Sequence, residues 1–245
     1  MRVWVTVPTY DEAENIELLV RRIREALPDA AILVVDDNSP DGTAGKAEAL
    51  AAELGDIQVL RRPGKLGLGS AYRAGHAAGI ARGYDVMVQI DADLSHDPAD
   101  LPRLLAAIER GADLAIGSRY VEGGSAPHWP KHRLALSRAG SVYSSWMLRL
   151  GVKDVTAGYR AYRASILKRM HFDQTRSTGY GFQVEMTYRV RRAGGRIDEV
   201  PICFTDRVRG TSKMSGRIVV EAMALVTWWG VRDRVRRLVR RRRDH

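Results

Sequence analysis

Short apolar runs typical of strands alternate with helical apolar patterns along the first half of this chain, and this alternation limits the fold more than any other feature. The helix-like segments are residues 11–27, 43–54, 67–82 and 101–110, and the strand-like runs are residues 3–7, 31–35, 57–60, 86–90 and 114–116. Repeated strand–helix units predict an α/β protein with a mostly parallel sheet flanked by helices. The 245 residues are enough for one such domain or two small ones.

The second half of the chain has a different pattern. Residues 118–131 form a stretch rich in Gly, Ser, Pro and His, which predicts a loop. Helical spacing returns at 133–150 and 180–192, and a last strand is predicted at 196–202. We see no linker or domain boundary before about Asp206.

The chain is strongly basic, with a formal net charge of +10 and a pI near 10.0. Such a charge favours polyanionic partners, which include nucleic acid, phosphorylated substrates and anionic membranes. Nucleic acid is the weakest of these three, because aromatic residues make up only 7% of the chain and form no stacking pattern.

The sequence has no second cysteine, no signal-peptide pattern and no long apolar stretch. The chain has one cysteine, Cys203, so no intrachain disulfide is possible, and we expect this thiol to be buried as a small apolar group. The N-terminus lacks a signal-peptide pattern. The longest apolar stretch, residues 218–231, is shorter than the roughly 20 residues of a membrane span and contains Glu221. We therefore expect no transmembrane helix.

Two carboxylates follow the strand predicted at 86–90. Asp91 and Asp93 are two residues apart in an extended segment, so their side chains point the same way and can reach one hard cation. Mg²⁺ commonly takes one or two protein carboxylates and completes its shell with substrate phosphates and water. A solvated turn after a strand would also favour Asp, so spacing alone leaves both interpretations open.

Two more acidic clusters follow strands. Asp36 and Asp37 end the second strand, and Asp11 and Glu12 follow the first. Each cluster alone is equally well explained by a turn or a helix N-cap. Because parallel strands end at the same edge of a sheet, all three clusters should converge there, and this is where such folds bind ligands.

Arginine and lysine near the same edge are candidates to bind phosphate. They are Arg119, Arg133, Arg207 and Lys213. The planar guanidinium group can donate two hydrogen bonds to a phosphate at once. In a chain this basic, however, any one arginine is more often a solvated surface charge.

Several motifs together resemble family 2 glycosyltransferases of the GT-A fold, and within them the dolichol-phosphate (polyprenol-phosphate) mannosyltransferases. The matching segments, in the order of that family, are residues 7–15, 35–43, 91–96, 117–120, 156–160, 179–185 and 206–213. They span roughly residues 3 to 215.

The resemblance implies a role for each matched position. Pro8, Tyr10, Glu12, Val35 and Asp37 would line the nucleoside pocket, with Ala92 beside the donor. Asp91 and Asp93 would hold Mg²⁺ or Mn²⁺ against the diphosphate, with Ser95 at the position of a further ligand in some relatives. Arg119, Arg207 and Lys213 would bind phosphate, Arg133 and Ser137 would hold the lipid phosphate together with Arg119 and Arg207, and Gln183 and Glu185 would face the sugar.

The resemblance also suggests how the chain is divided. Residues 1–214 would form the GT-A catalytic domain, and residues 215–245 would form an amphipathic helix with an arginine-rich tail. Apolar residues of this segment fall on one helical stripe with arginines around it: Trp228, Val231, Val235, Leu238 and Val239. This pattern is typical of a helix lying in a membrane interface. The alternative is a helix packed on the domain with a basic tail.

The expected function is inverting transfer of mannose from GDP-mannose to polyprenyl phosphate, releasing GDP. We expect the enzyme to act in the cytoplasm at an anionic membrane surface. A membrane protein is a further candidate partner, and we expect no binding of nucleic acid. Transfer of another hexose, such as glucose, to the same lipid is the nearest alternative. A nucleic-acid-binding protein and a catalytically inactive nucleotide-sugar-binding module are the alternatives from other classes.

Overall fold

The computed structural model describes the backbone of residues 1–177, 179–206 and 216–241, and the same side chains except those of 179–180, 216–222 and 237–241. The strands are β1 (Val3–Thr9), β2 (Ala31–Asp36), β3 (Ile57–Arg61), β4 (Val86–Gln89), β5 (Leu114–Ser118), β6 (Arg160–Arg163) and β7 (Ile197–Pro201). The helices are α1 (Ile16–Ala26), α2 (Thr43–Leu54), α3 (Leu68–Ala81), α4 (Leu101–Glu109), α5 (Lys131–Leu148), α6 (Ala164–Arg169), α7 (Gly179–Arg192) and α8 (Gly216–Arg241). Two single-turn 3₁₀ helices cover Pro98–Asp100 and Phe172–Gln174.

The strands form one mostly parallel sheet, as predicted. The strand order is β3-β2-β1-β4-β6-β5-β7, and among these strands only β6 runs antiparallel to its neighbours. The carboxyl ends of β1, β2 and β4 therefore lie at one edge of the sheet, which places the three acidic clusters together.

Side-chain alternation in the central strands buries both faces of the sheet. Val3, Val5 and Val7 of β1 pack on the face that carries α1, α2 and α4. Trp4 of β1 and Leu33 of β2 pack on the opposite face, against α3, α6 and α7. Strands covered by helices on both sides read as continuous apolar runs, which is why β1 and β2 could be recognised in the sequence.

The strand β6 and the helix α6 were not predicted. The strand is the tetrapeptide Arg160-Ala161-Tyr162-Arg163, and it lies between β4 and β5 with Arg160 fully buried. A strand with arginine at both ends lacks the apolar run or the alternation that identifies strands. Its pairing depends on partners that are 44 to 77 residues away in the chain, from Ile116 opposite Arg160 to Val86 opposite Arg163.

Three smaller expectations were also wrong. The first helix begins at Ile16 and not at residue 11, because residues 11–13 are held by hydrogen bonds to Ser39, Asp41 and Thr43. The last strand is shorter at both ends than predicted. Cys203 is exposed, since it lies on an edge segment that makes only an isolated bridge to Ser125.

The C-terminal helix α8 packs against α5 and α7. Its inner side is anchored by Val226 and Trp229, which are nearly fully buried, and by Asp233, which accepts hydrogen bonds from Tyr188 and Arg192. Trp228, Val231 and Val235 face outward and are 57%, 49% and 52% exposed. The helix thus packs on the domain and also leaves the first part of its predicted apolar stripe uncovered. No helix in the described ranges is long and apolar enough to cross a membrane.

Candidate active site

Asp91 lies just after β4 and is held from two sides. The Tyr72 hydroxyl on α3 donates a hydrogen bond to Asp91 Oδ1 at 2.6 Å. Burial, followed by the charge of Asp91, raises the pKa of Tyr72 well above its ordinary value, so the phenol remains a neutral donor. On the other side, a Cβ at Gly158 would lie 3.1 Å from Asp91 Oδ2, so a larger residue at this position would require the carboxylate to shift.

Asp93 is 6% exposed and is oriented by its own loop. The Ser95 backbone N–H and hydroxyl both donate to Asp93 Oδ1, at 3.1 Å and 2.6 Å. The Ser95 hydroxyl therefore orients Asp93 in this structure. While it donates to Asp93, the Ser95 oxygen keeps lone pairs that can still coordinate a metal.

His96, which showed no metal-ligand spacing in the sequence, lies inside the site. It is buried against the rings of Tyr159 and Phe204, at 5.0 Å and 5.2 Å between centroids. Burial lowers the pKa of His96 to about 4, against an opposing effect of Asp93 and in the same direction as Arg119. The imidazole is thus neutral near pH 7 and fills the space between the acidic pair and the basic residues.

The predicted nucleoside residues lie at the ends of β1 and β2, though not all offer a side chain. Pro8, Tyr10 and Glu12 are partly exposed, whereas the Val35 side chain is fully buried in the core. Val35 is closed to solvent as a whole residue, so in this structure it offers no surface to a ligand. Asp37 is paired with Arg62, which also donates to Ser70. This ion pair joins the end of β2 to the start of α3.

The turn between β2 and α2 is fixed by two carboxylates, the buried Asp36 and the exposed Asp41. Asp36 accepts hydrogen bonds from Thr9 and Ser39, so it ties β1 to the turn. Burial acts to raise the pKa of Asp41, but hydrogen bonds from Thr43 and the Ala13 backbone outweigh it, and the pKa is lowered. Both carboxylates stabilise the turn beside the residues predicted to line the nucleoside pocket.

Arg119, at the end of β5, is bound by a buried carboxylate. Its Nε and Nη2 donate to the two oxygens of Asp154 at 2.7 Å each, and its backbone N–H donates to the same carboxylate. The guanidinium also lies over the rings of Tyr120, Trp129 and Phe204. A bidentate pair stacked on aromatic rings fixes the orientation of this cation.

Arg133 and Ser137, on the first turns of α5, lie in the same cluster as Arg119. The Arg133 guanidinium stacks 4.1 Å from the centre of the Trp129 ring, and the Arg119 guanidinium lies 4.9 Å from the same centre. Ser137 accepts a hydrogen bond from the Tyr120 hydroxyl at 2.8 Å. The structure therefore brings together three of the four residues predicted to hold the acceptor phosphate.

Residues 154–160 connect the acidic pair to the basic cluster. Thr156 accepts a hydrogen bond from Arg119, Gly158 contacts Asp91, and the Tyr159 hydroxyl donates to the Asp97 carbonyl. Arg160 is fully buried and stabilises the segment by donating hydrogen bonds to the carbonyls of Val155, Ala157 and Gln183. This segment sets the position of Asp91 relative to Arg119.

Gln183 and Glu185 are both buried and bound to protein groups. Gln183 accepts a hydrogen bond from Gln89, which also contacts the buried His76. Glu185 accepts from the backbone N–H groups of Arg176 and Ser177 and from Arg189. Both residues support the site, and the structure gives no contact that directs Glu185 toward a sugar.

Arg207 and Lys213 lie outside the described residues, which resume at Gly216. The segment that leads to them is described as far as Asp206. Thr205 donates to the carbonyls of Ser95 and Leu94, and Asp206 accepts from Trp129 and Arg133. This segment thus runs beside both the acidic pair and the basic cluster.

The donor set at Asp91 and Asp93 fits a hard divalent cation that is shared with a substrate. Within the part of the chain that the structure describes, no group of three or more His, Cys, Asp or Glu side chains is placed to hold a metal by itself. Two carboxylate ligands leave positions for diphosphate oxygens and water, which suits Mg²⁺ and similar ions.

An acidic strand end facing a rigid basic cluster, on a mostly parallel α/β sheet, defines a class of enzymes that transfer groups from phosphorylated donors. Comparison with known families agrees with this class. The chain belongs to glycosyl transferase family 2, which matches residues 4–170.

Two curated relatives match nearly the whole chain. An undecaprenyl-phosphate mannosyltransferase from Micrococcus luteus is 54% identical over 234 residues, which cover 96% of each chain. A polyprenol monophosphomannose synthase from Mycolicibacterium smegmatis is 50% identical over 243 residues, which cover 98% of this chain and 92% of the relative.

The fold agrees with that of a solved enzyme. Glucosyl-3-phosphoglycerate synthase from Mycobacterium tuberculosis, solved with Mn²⁺, UDP-glucose and glycerol 3-phosphate, aligns with a TM-score of 0.63 and 20% identity. The alignment covers 95% of this chain and 79% of that structure. The GT-A fold expected from the sequence is confirmed.

Proposed function

We propose that this enzyme transfers mannose from GDP-mannose to polyprenyl phosphate, giving polyprenyl-phosphate-mannose and GDP. The observation that carries the proposal is the placement of Arg119, Arg133 and Ser137 in one rigid cluster that adjoins the Asp91–Asp93 pair through His96. A donor diphosphate and an acceptor phosphate both need positive groups, and this edge of the sheet supplies a cation site and fixed arginines. The two relatives at 54% and 50% identity, named for mannosyl transfer and for polyprenol, support the choice of sugar and acceptor.

The reaction we infer is a single displacement at the anomeric carbon. A phosphate oxygen of the acceptor forms the new bond to that carbon, while the bond from the carbon to the GDP oxygen breaks and its electrons leave with GDP. A phosphate monoester has a second pKa of about 6, so near pH 7 most of the acceptor arrives as a dianion. The nucleophile then needs no protein base to remove a proton.

The protein groups position the two phosphates and balance their charges. Arg119, fixed by Asp154, and Arg133, stacked on Trp129, would hold the acceptor phosphate beside Ser137. Asp91 and Asp93 would hold Mg²⁺ or Mn²⁺, which when bound stabilises negative charge developing on the leaving diphosphate. Since His96 is neutral and its pKa is about 4, it suits a packing role better than that of a base.

We further infer that the enzyme works as a peripheral membrane protein. The outward stripe of Trp228, Val231 and Val235 on α8 is bordered by Arg232 and Arg234. A helix with apolar residues and tryptophan facing outward and arginines beside them suits the boundary between headgroups and acyl chains. We propose that residues 1–214 carry out catalysis and that residues 215–245 bind the membrane. This is a division of roles and not of folded units, since α8 packs on the catalytic fold.

The deciding experiment measures which sugar enters the lipid. The full chain is incubated with polyprenyl phosphate, Mg²⁺ or Mn²⁺, and labelled GDP-mannose, GDP-glucose, UDP-glucose or UDP-N-acetylglucosamine in parallel. We expect label in the organic phase with GDP-mannose only. Preferential labelling from a UDP-hexose would replace mannose by that hexose and retain the acceptor, and no transfer from any donor would overturn the proposal.

The stereochemistry of the product tests the mechanism separately. Single displacement on the α-linked donor gives a β-linked mannosyl phosphate, which NMR of the purified product can identify. An α-linked product would contradict the single displacement with inversion that we infer.

A further inference from the structure

A groove of about 820 Å³ lies between α7 and α8, and of the candidate site residues that the structure describes only Glu185 lines it. Its described lining carries six arginines and one carboxylate, Glu185. The arginines are Arg169, Arg176, Arg189, Arg192, Arg232 and Arg236. A concave surface with this excess of one charge concentrates anions.

Half of these arginines already serve the fold. Arg189 pairs with Glu185 at 2.8 Å, Arg192 pairs with Asp233 at 2.6 Å, and Arg169 lies 3.6 Å from Asp113. Arg176, Arg232 and Arg236 make no ion pair with any residue in the described ranges. Arg232 Nε is also shielded from water and lacks a hydrogen-bond acceptor among them. A buried donor without an acceptor is costly, and an anionic ligand would supply one.

The floor of the groove is aromatic. The rings of Tyr188 and Trp229 stack in parallel at 5.5 Å, and the Arg232 guanidinium lies 4.5 Å from the centre of the Trp228 ring. An inorganic anion needs only the charges. A ligand that carries apolar groups next to its anion would also use these rings.

The position of Trp228 decides between a soluble ligand and a membrane lipid. Trp228 lines the groove and also belongs to the outward stripe with Val231 and Val235. The groove therefore opens on the face that we propose rests on the membrane. Tryptophan and arginine side by side are typical of the headgroup level of a bilayer.

We propose that the α7–α8 groove binds the headgroup of an anionic phospholipid, whose acyl chains stay in the bilayer beside Trp228, Val231 and Val235. The proposal rests on the proposed membrane association but not on the identity of the sugar or of the acceptor. It predicts a defined site with one lipid per chain, in addition to general attraction between a basic protein and an anionic surface.

The test uses the full chain and a short-chain phosphatidylglycerol below its critical micelle concentration, titrated by calorimetry. The double variant Arg232→Gln/Arg236→Gln removes two charges from the groove. The matched control, Arg138→Gln/Arg234→Gln, removes one charge from α5 and one from the side of α8 that contacts α5, and neither residue lines the groove. We expect saturable binding with one lipid per chain, weakened about tenfold or more in the groove variant and less than about threefold in the control, since lost contacts to a charged ligand have effects of this size.

Two further measurements test whether weaker lipid binding comes from the lost charges of the groove and not from a general loss of folding or activity. Arg232→Lys/Arg236→Lys keeps the charges, so it should bind better than the Gln variant while melting at the same temperature as the natural chain. Mannosyl transfer to a short, soluble polyprenyl phosphate should be unchanged in the groove variant. The two proposals can therefore fail separately. Lipid binding can be lost while mannosyl transfer is normal, or mannosyl transfer can be absent while lipid binding is normal.

The proposal is overturned by any of three results. Equal weakening in the groove and control variants would show only diffuse charge attraction. Equal binding of short-chain phosphatidylcholine would show that the negative charge is not recognised. Full competition by inorganic phosphate at the same concentration would show an anion site with no preference for a lipid.

Discussion

At the scale of single residues, Asp93 is a direct test of the acidic pair. Asp93→Asn keeps the shape and an oxygen that can accept from Ser95, but it removes the charge that would face a cation and a diphosphate. We expect the rate of transfer to fall by about two orders of magnitude or more, as when other groups that stabilise transition-state charge are removed. Steady-state assays of the variant measure the loss of rate. The same assays of the natural chain with and without excess chelator measure its need for a metal.

The matched control is Asp97→Asn. Asp97 lies on the same loop but caps the 3₁₀ helix at Pro98–Asp100 and contacts the exposed Arg22. Its replacement should leave the rate within about threefold of the natural chain, because surface changes away from a site have small effects. Full activity of Asp93→Asn, or of the natural chain in excess chelator, would contradict the role of Asp93 in holding a metal.

Tyr72 should act as a positioning residue for Asp91. Tyr72→Phe removes the hydroxyl that donates to Asp91 Oδ1 and leaves the buried ring in place. Loss of an outer partner of a metal ligand typically costs about 10- to 100-fold in metal affinity or activity. We expect a weakening of this size in Mn²⁺ binding, measured by electron paramagnetic resonance in the presence of GDP.

Tyr143→Phe provides the comparison for Tyr72, because its hydroxyl bonds Thr227 on α8, away from the acidic pair. It should leave the Mn²⁺ affinity unchanged. If Tyr72→Phe binds Mn²⁺ as the natural chain does, the Tyr72–Asp91 hydrogen bond stabilises the fold only.

At the scale of elements, α8 carries two roles on opposite sides. Deleting the chain after Gly230 would remove the outward valines together with Asp233, whose carboxylate holds Tyr188 and Arg192. Point substitutions on the outer side are a cleaner test. Val231→Ser/Val235→Ser removes exposed apolar area without touching the packed side.

We expect this double variant to bind anionic vesicles about thirtyfold more weakly, since partial burial of each valine in the interface contributes roughly 1 kcal/mol. Its free energy of unfolding should change by less than about 0.5 kcal/mol, because both side chains are exposed. Vesicle flotation and thermal unfolding measure the two quantities. Leu18→Ser/Leu66→Ser, two exposed leucines elsewhere, should bind vesicles normally, and equal losses in both pairs would argue against a defined membrane face.

The elements show how far the sequence can predict such a protein. The strands β1, β2 and β4 were recognisable because they are buried on both sides, and their acidic ends could be placed at one edge from topology alone. The partners of the site residues could not be predicted. The ion pair between Asp37 and Arg62 and that between Arg119 and Asp154 join positions 25 and 35 residues apart. Nothing in local spacing identifies such pairs, nor a strand built around the buried Arg160.

At the scale of the whole molecule, activity should depend on pH through the acceptor and not through a protein base. We expect kcat/KM for the acceptor to fall as pH decreases through about 6, following protonation of its phosphate. His76 and His96 do not account for this change, because burial lowers the pKa of each to about 4. A phosphonate acceptor, whose second pKa is higher, should move the fall to higher pH, whereas an unchanged profile would assign it to the protein.

The stability of the folded chain sets the lowest pH at which these rates can be measured. Both histidines have pKa values in the folded chain below the ordinary 6.5, so the unfolded chain binds their protons first. Their contribution to stability is complete above about pH 6.5 and is lost as pH falls toward about 4. Rates should therefore be compared only where the thermal midpoint shows that the chain stays folded.

The position of β6 in the sheet has a consequence for the order in which the enzyme forms during synthesis. The half-sheet β3-β2-β1-β4 needs only residues 3–89, whereas β5 at 114–118 must wait for residues 160–163 before it can join β4. Because contacts between residues near in sequence form before distant ones, we expect the half-sheet that carries the predicted nucleoside residues to form on the ribosome before the proposed metal site is complete. Asp91 is made early but receives Gly158 late, so a nascent chain should be able to hold a nucleoside before it can hold the metal with its natural geometry.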